Sequence, residues 1–362
     1  MNESLPALAE RIDAVASRAA SLPVVAGFDG FVDEVIEVVG TRGSPEDYQR
    51  LPTIGDFGRW ALESAGKSGS REFVVTARAP GGCTVNMGEG LASLGFPLDA
   101  FAGLGEPPDE VFDAFRAKCR CVETLGMQPG RAIVTEFDDG KLMFCAFSHF
   151  AGFTPGHLRQ AMAGGGYRRA CAAAAGVALT SWSVYPYMTD CWRLLQDEIL
   201  AGLDNRPRIL LDLADPASRD AGDIVAMVDA LAGFERIGPT TLSLNGNEAN
   251  RLARALGLCE AGTEPDDLRR LAGELRARAA IDEVGIHLVN SAVGARADGA
   301  AAVDGPHCAQ PRKSVGGGDR FNAGWLAGYL LGLDQRERLL LAAATSGFYV
   351  RAARSGSLPE IS

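Results

Sequence analysis

Three glycines run directly into an acidic residue in the stretch Ser314-Val315-Gly316-Gly317-Gly318-Asp319-Arg320-Phe321-Asn322-Ala323-Gly324. Apolar residues then recur at helical spacing, so we predict a helix that begins close to the acid. Glycine leaves the backbone N–H groups accessible, and the first turn of a helix has unpaired N–H groups and a partial positive charge. The stretch therefore predicts an anion hole at Gly316, Gly317 and Gly318 that is suited to a phosphate group.

Asp319, the acid that follows the glycines, has two interpretations on local grounds. It can cap the helix by accepting hydrogen bonds from N–H groups of the first turn. It can also act as a base beside a phosphoryl group, because a carboxylate held there can take the proton of an attacking hydroxyl. The glycine stretch by itself leaves both interpretations open.

Length and composition limit the class of protein. The 362 residues, 47% of them hydrophobic, are enough to bury a substantial core, and we treat residues 1–362 as a single domain. Lys and Arg number 35 against 46 Asp and Glu, which gives a formal net charge of −11. Because nucleic-acid binding needs a basic surface, we expect no nucleic acid as the main partner.

The cysteines and the N-terminal segment bear on the compartment. The 8 cysteines show no CxxC and no zinc spacing, so we expect reduced thiols that behave as small hydrophobic residues. Glu3, Glu10 and Asp13 make the first residues too acidic for a signal peptide, and no apolar run approaches the length of a membrane span. We therefore predict a cytoplasmic protein without a membrane partner.

Short apolar runs alternate with helical segments along most of the chain. The runs that we predict as strands are residues 23–27, 73–76, 177–180, 208–212, 241–245 and 285–290. Such alternation is typical of a mainly parallel sheet with helices on both faces, so we predict a doubly wound α/β fold.

A hairpin interrupts this alternation. Two β-rich runs, residues 132–137 and 142–147, flank Asp138-Asp139-Gly140-Lys141, and Asp-Gly between such runs is a strong hairpin signal. The hairpin indicates a small separate sheet, which we place at about residues 29–50 and 98–148. We interpret this sheet as a lid, because a phosphoryl transfer must exclude water.

Polar residues after the early strands are candidates for binding a substrate. Asp29 and Asp33 follow the first strand, at the sheet edge where open α/β folds bind ligands. A solvated turn is the alternative for either acid, although carboxylates accept well from sugar hydroxyls. Gly81 and Gly82 allow close approach of a ligand to the backbone, and Asn86 at the start of the next helix offers both a donor and an acceptor.

The later strands also end in polar residues. Asp212, Asn245 and Asn290 each end a predicted strand, which places them along the ligand edge. Asn245 and Glu248 begin a predicted helix, where they can form a helix cap or help to hold a hydrated magnesium ion. The histidines have no metal-binding spacing, and we expect all of them in packing or at the surface: His149, His157, His287 and His307.

The motifs at residues 81–86, 245–248 and 316–324, in this order and spacing, resemble those of the ribokinase-like (PfkB-type) carbohydrate kinases. The resemblance covers roughly Pro23 to Val350. It implies a doubly wound α/β domain with a small β lid, and phosphorylation of a sugar or nucleoside hydroxyl with ATP and Mg²⁺.

Carried over to this sequence, the resemblance assigns a role to each candidate residue. Asp319 is the implied base, and the amides of Gly316–Asp319 stabilise the phosphoryl group. The substrate hydroxyls are bound by Asp29 or Asp33, together with the stretch from Gly81 and Gly82 to Asn86. The remaining roles are magnesium and phosphate binding, implied for Asn245 and Glu248, and nucleotide binding, implied for Asn290, Ser291 and Gly294.

Two departures from the family pattern concern the anion hole and the substrate. Gly317 replaces the usual Ala, and we expect this change to have a mild effect. Cys83 stands where ribokinases carry a Lys, so ribose is not specifically indicated.

The sequence leaves a nucleoside kinase and a silent sugar-binding sensor as alternatives, and Phe28, Phe31 and Phe137 are candidates for stacking on a base. A homodimer through the edges of the lid is also open.

Overall fold

The computed structural model describes residues 4–313 and 315–361, so Ser314 of the glycine stretch and Glu3 of the acidic N-terminal segment lie outside the described residues. The strands of the described part are β1 (Val24–Phe28), β2 (Phe31–Arg42), β3 (Tyr48–Arg50), β4 (Phe73–Gly81), β5 (Leu98–Ala102), β6 (Cys121–Glu123), β7 (Gly130–Phe137), β8 (Gly140–Ala146), β9 (Gly176–Leu179), β10 (Arg208–Asp212), β11 (Thr240–Asn245), β12 (Glu283–His287), β13 (Ser291–Arg296) and β14 (Gly299–Asp304).

Helices separate most of these strands. They are α1 (Ser4–Ala16), α2 (Ile54–Glu63), α3 (Cys83–Ser93), α4 (Asp113–Arg116), α5 (Pro155–Ala161), α6 (Gly166–Ala173), α7 (Met188–Leu194), α8 (Ala221–Ile237), α9 (Gly246–Leu256), α10 (Pro265–Ala279), α11 (Gly317–Leu330), α12 (Gln335–Ala352) and α13 (Leu358–Ile361). None of the helices in the described ranges is long and apolar enough to cross a membrane.

The large sheet has the strand order β14-β13-β12-β11-β10-β9-β1-β5-β6. Its strands from β12 to β6 are parallel, whereas β13 and β14 pair antiparallel at one edge. Every residue of β1, β5, β9 and β10 is buried, as expected for parallel strands with helices on both faces. The predicted doubly wound α/β fold is therefore confirmed.

The smaller sheet is built from β2, β3, β4, β7 and β8, and the predicted hairpin is the β7–β8 pair. Its bounds differ from the prediction. Residues 98–102 and 121–123 belong to the large sheet, because β5 is an apolar run that pairs in parallel with β1. Residues 73–81 join the smaller sheet instead, through antiparallel pairing of β4 with β2.

One face of the smaller sheet is covered by α2. Ile36, Ile133 and Leu142 lie on that face and pack with Phe57 of the helix. On the opposite face, Ala132 belongs to the main core. The polar segment after residue 40 therefore adds a helix to the back of this sheet.

Glycines bring α11 close to its neighbours. A Cβ on Gly285 of β12 would lie 1.7 Å from the Trp325 ring, and a Cβ on Gly90 of α3 would lie 2.9 Å from Cβ of Ala323. Helix α11 therefore packs directly against the large sheet and α3, and its first turn opens toward the carboxyl ends of the strands.

Candidate active site

The glycine stretch forms a tight turn into α11. The helix begins at Gly317, and its N-cap is Gly316, which has the left-handed backbone angles φ 82° and ψ 8°. No side chain caps this end of the helix, so Asp319 lies inside the first turn and is not the N-cap. As a whole residue, Asp319 is only partly buried.

Several acids surround Asp319. Burial raises the pKa of Asp319 to about 8, the nearby carboxylates of Asp212 and Asp29 add to the effect, and the Arg320 guanidinium and a hydrogen bond with the Cys83 thiol oppose it. Burial likewise raises the pKa of Asp212 to about 6. The ligand-free site therefore disfavours the ionised form of these acids, and a bound cation would favour it.

Asp29 is held entirely by the protein. Its carboxylate accepts hydrogen bonds from the backbone N–H groups of Cys83 (2.7 Å) and Thr84 (2.9 Å), and from the hydroxyls of Thr84 and Thr180 (both 2.8 Å). With these four donors it anchors the N-terminus of α3, which has no side-chain cap of its own.

Asp33 lies on β2 at the base of the smaller sheet. A Cβ on Gly81 would lie 2.4 Å from its Oδ2, so its carboxylate rests against the backbone there. Burial raises the pKa of Asp33 to about 6, although the charges of Lys313 and Lys141 oppose the shift. Of the two candidate acids, Asp33 has the carboxylate that is better placed to accept from a ligand.

The start of α3 meets the glycine turn. Gly82 is the N-cap of α3 with φ 96°, and a Cβ there would lie 2.7 Å from Oδ2 of Asp29. The Asn86 amide lies 3.2 Å from where a Cβ of Gly316 would be. The structure thus brings the predicted substrate residues of α3 next to the predicted anion hole.

Asn245 and Glu248 form a reciprocal capping box at the start of α9. The Asn245 side chain accepts from N–H of Glu248 (2.9 Å), and the Glu248 carboxylate accepts from N–H of Asn245 (2.8 Å). Burial and the Asp212 charge raise the pKa of Glu248 well above its usual range. Across residues 4–313 and 315–361, no group of three or more His, Cys, Asp or Glu side chains is arranged to hold a metal directly.

A cavity of about 780 Å³ opens beside the glycine turn. It is lined by Gly317 and Gly318, by Asn245, and by apolar side chains of α10 and α12. Ser291 also lines it, but Asn290 and Gly294 do not. Asn290 is an exposed turn residue, and the Gly294 carbonyl accepts from Gln335 Nε2 (3.0 Å) within the sheet. The cavity has the size of a nucleotide site.

His287 is a cavity residue that the sequence interpretation assigned to packing or the surface. It ends β12, and its ring lies against Gly318 and, at 4.8 Å between centroids, against Phe321. Burial lowers the pKa of His287 to about 4, so the ring is neutral at physiological pH. Its position at the carboxyl end of a parallel strand, the rule that selected Asn245, is the signal that identifies it.

The aromatic residues considered for base stacking belong to the core instead. Phe28 is fully buried and packs on Phe153 at 5.4 Å between ring centroids, and Phe31 packs on Phe150 at 5.5 Å. Phe137 packs on the α2 side of the smaller sheet. None of the three offers a free face to a nucleoside base.

A mainly parallel α/β fold, with a second sheet and a glycine turn that leads into an acid, defines a ribokinase-like (PfkB-type) carbohydrate kinase. The chain belongs to the prokaryotic ketohexokinase family, whose family model matches residues 5–362. It is therefore a phosphotransferase that acts on a sugar hydroxyl.

Individual relatives resemble the chain in sequence or in fold. A ketohexokinase of Haloferax volcanii is 29% identical over 371 residues, which cover 99% of this chain and 91% of that protein. A carbohydrate kinase from Agrobacterium tumefaciens has a TM-score of 0.62 at 16% identity, with 94% of this chain and 95% of that chain covered. A ribokinase II-type protein from E. coli, solved with ATP and Mg²⁺, has a TM-score of 0.61 at 18% identity, with 94% and 97% covered.

Proposed function

We propose that the protein transfers the γ-phosphoryl group of ATP to a hydroxyl of a ketohexose. The observation that carries this proposal is the position of Asp319. Asp319 lies in the first turn of α11, directly after Gly317 and Gly318, which line the cavity, and its carboxylate accepts a hydrogen bond from the Cys83 thiol of α3. A group there can reach a hydroxyl on one side while the glycine turn binds a phosphate on the other.

In the proposed reaction, the Asp319 carboxylate accepts the proton of the attacking hydroxyl. The hydroxyl oxygen forms a bond to the γ-phosphorus, and the bond from that phosphorus to the bridging oxygen of ADP breaks. The N–H groups at Gly316–Asp319 and the positive end of α11 stabilise the charge on the transferred group. Asp33 and Asn86 hold the sugar, and Asp29 fixes the α3 turn from which Asn86 projects.

ATP fits the cavity beside the glycine turn, where Ser291 and apolar side chains form walls for the base and ribose. The donor set fits Mg²⁺ as well, because Asp212 and Glu248 supply carboxylate oxygens whose ionisation, disfavoured by burial, a cation would favour. With Asn245 they would hold the ion through water and the nucleotide phosphates, as Mg²⁺ retains much of its hydration. When bound, Mg²⁺ neutralises charge on the phosphates.

A ketohexose is the substrate class most consistent with the relatives, since the family and the Haloferax volcanii protein are described as ketohexokinases. The uncharged Cys83 thiol beside Asp319 also differs from the lysine implied for ribokinases. A cytoplasmic location, where ATP is available, is part of the proposal.

We also propose that a second copy pairs with the smaller sheet. Strands β4 and β8 each pair with a single neighbour within the described residues, and Phe73 and Met143 on them are exposed. Such edges are suited to pairing with another chain.

The test of the proposed function is ADP release from MgATP over a panel of ketohexoses, aldoses, sugar phosphates and nucleosides. We expect turnover with a ketohexose and a loss of roughly a thousandfold in kcat for Asp319→Asn. Turnover that survives this substitution would contradict the assigned base. An absence of turnover on every compound, with sugars still raising the melting temperature, would indicate a sugar-binding sensor instead.

A further inference from the structure

Arg320 follows the proposed base directly but does not line the cavity. It is 5% exposed, and its guanidinium lies 4.2 Å from the centroid of the Tyr349 ring. Its Nη2 donates to Glu89 Oε2 (2.7 Å), and its Nε donates to Ser355 Oγ (3.2 Å). The side chain therefore ties the first turn of α11 to α3 and to the segment after α12.

The third nitrogen of this guanidinium faces the glycine turn. Nη1 is buried and has no hydrogen-bond partner within residues 4–313 and 315–361. A Cβ on Gly316 would lie 2.8 Å from Nη1 and 3.2 Å from Nδ2 of Asn86. The N-cap of α11, the amide of Asn86 and Nη1 of Arg320 thus meet at a single point, where a side chain on residue 316 would not fit.

Glu89 keeps the guanidinium in this orientation. Burial alone would raise the pKa of Glu89, but Arg320, Lys118 and Ser355 together lower it to about 2, so the carboxylate stays charged. Ser355 donates to Glu89 as well as accepting from Arg320, which closes a small network. A buried ion pair of this kind contributes little net stability. Stability therefore does not explain why the pair lies against the glycine turn.

We infer that Arg320 is a positioning residue of the kinase reaction: its fork, fixed by Glu89 and Ser355, holds the Gly316 turn and Asn86 in the geometry that phosphoryl transfer requires. The anion hole and the substrate side are then set by one side chain. The inference rests on the proposed function, because it takes Asp319 as the base and Gly316–Gly318 as the phosphate site.

The charge of Arg320 has a second effect that a purely structural residue would not have. It opposes the rise in the pKa of Asp319, which is faced by Asp29 and Cys83 from the α3 side, by Asp212 from β10 and by Glu248 from α9. The hydrogen-bonding geometry of the guanidinium and its charge can be tested separately, because lysine keeps the charge but cannot form the two directed hydrogen bonds.

The chain offers a matched control in Arg338. This arginine is also 5% exposed, pairs with a buried acid at Glu283 Oε1 (3.1 Å) and lies 4.6 Å from the centroid of a tyrosine ring, that of Tyr329. It belongs to α12 and does not line the cavity. Arg338→Lys therefore reproduces the packing change without touching the glycine turn.

The experiment measures kcat and KM for ketohexose and ATP, with the pH profile of kcat/KM, in Arg320→Lys, Arg320→Gln and Arg338→Lys. We expect kcat to fall about ten- to a hundredfold in both Arg320 variants, with KM values close to those of the wild type. The acid limb of the kcat/KM profile should move to higher pH only in Arg320→Gln, because this variant removes the positive charge that Arg320→Lys keeps. Arg338→Lys should lower the melting temperature and leave both readouts unchanged.

Ser355→Ala covers the case in which Arg320→Gln does not fold, because it keeps the guanidinium and removes only the hydroxyl that accepts from Nε and donates to Glu89. We expect a several-fold loss of kcat with unchanged KM. Arg320 variants that fold with the kcat and pH limb of the wild type would overturn the inference and leave the proposed function intact. A wild-type protein without sugar kinase activity would overturn both.

Discussion

The carboxylates around Asp319 lower the stability of the folded protein when they are ionised. Asp29, Asp212, Glu248 and Asp319 lie at the carboxyl ends of the central strands, and the pKa values of the last three are raised, chiefly by burial. An ionised acid in such a place destabilises the free protein, because it lacks water and faces like charges. Under the proposed function, a cation and phosphates in the site would stabilise the same charge, so the loss of stability would be a consequence of function.

This effect predicts that Asp319→Asn stabilises the protein in a pH-dependent way. The pKa of Asp319 is raised from 3.8 to about 8 in the folded protein, so its contribution favours folding below 3.8 and is lost as the pH rises through about 8. Asn removes the charge, so we expect stabilisation of at least about 2 kcal/mol near pH 9 and a clearly smaller stabilisation near pH 5, because only part of the window between the two pKa values lies below pH 5. Thermal unfolding of the ligand-free protein at both pH values measures it.

Asp298→Asn serves as the control for this prediction, since Asp298 is an exposed acid on the turn between β13 and β14. It should shift the melting temperature little at either pH, as a surface charge contributes little. An Asp319→Asn variant with the same shift near pH 5 and near pH 9 would show that Asp319 is not held at a raised pKa.

Single residues were predicted best where backbone chemistry decides their role. The glycines before an acid indicated a helix start, and Gly316 is indeed the N-cap of α11 with Asp319 in its first turn, whereas the role of Asp319 as a base stays a prediction. The sequence could not decide which of Asp29 and Asp33 faces the substrate. Only the fold shows that the Asp29 carboxylate already accepts hydrogen bonds from the N-terminus of α3. Arg320 carried no signal, because its partners Glu89 and Ser355 are far away in sequence.

At the scale of elements, the position of α11 depends on where glycine replaces a side chain in its neighbours. The Trp325 ring lies on the backbone of β12 at Gly285, where a Cβ would lie 1.7 Å from Cη2 of the ring. Both the ring and the strand are buried, so neither has room to move. The contact therefore fixes the helix that carries Asp319 relative to the cavity.

Gly285→Ala should consequently cost stability and activity together. We expect a loss of about 1–3 kcal/mol in the free energy of unfolding, the usual cost of forcing extra volume into a packed core. Because α11 must move to admit the methyl group, kcat should fall more than the melting temperature alone explains. Denaturant unfolding and steady-state kinetics of the same preparation test the two effects.

Gly273→Ala is the matched control for the glycine prediction. Gly273 lies inside α10, and a Cβ there meets no other atom within 4 Å. Alanine is the better helix former, so this variant should gain up to about 1 kcal/mol and keep its activity. Equal behaviour of the two variants would mean that the contact of Trp325 with β12 does not position α11.

Element types were predictable from periodicity, but their assignment to sheets was not. The apolar runs after residue 176 alternate with helices, which is sufficient to predict parallel pairing. Residues 98–102 were expected in the lid because they precede the hairpin, yet β5 pairs with β1. Sheet membership depends on partners distant in sequence, and hydrophobic period does not contain that information.

For the whole molecule, the question is whether the smaller sheet moves over the site. Asp33, Ala132 and Cys145 pair in one row across β2, β7 and β8, so their side chains share one face of the sheet. The opposite face carries α2. Burial and then the charge of Asp33 raise the pKa of Cys145, which places this exposed thiol near the proposed substrate acid.

If the smaller sheet closes over bound sugar, Cys145 becomes less accessible. We predict that a ketohexose with a non-hydrolysable ATP analogue and Mg²⁺ slows alkylation of Cys145 several-fold, because the sugar lies beside Asp33 and closure excludes water from this face. Cys259, exposed in the loop after α9, should react at the same rate with and without ligands. Mass spectrometry of the alkylated peptides measures both thiols in one sample. A rate at Cys145 that the ligands leave unchanged, while they still raise the melting temperature, would show that the sugar binds without the smaller sheet acting as a lid.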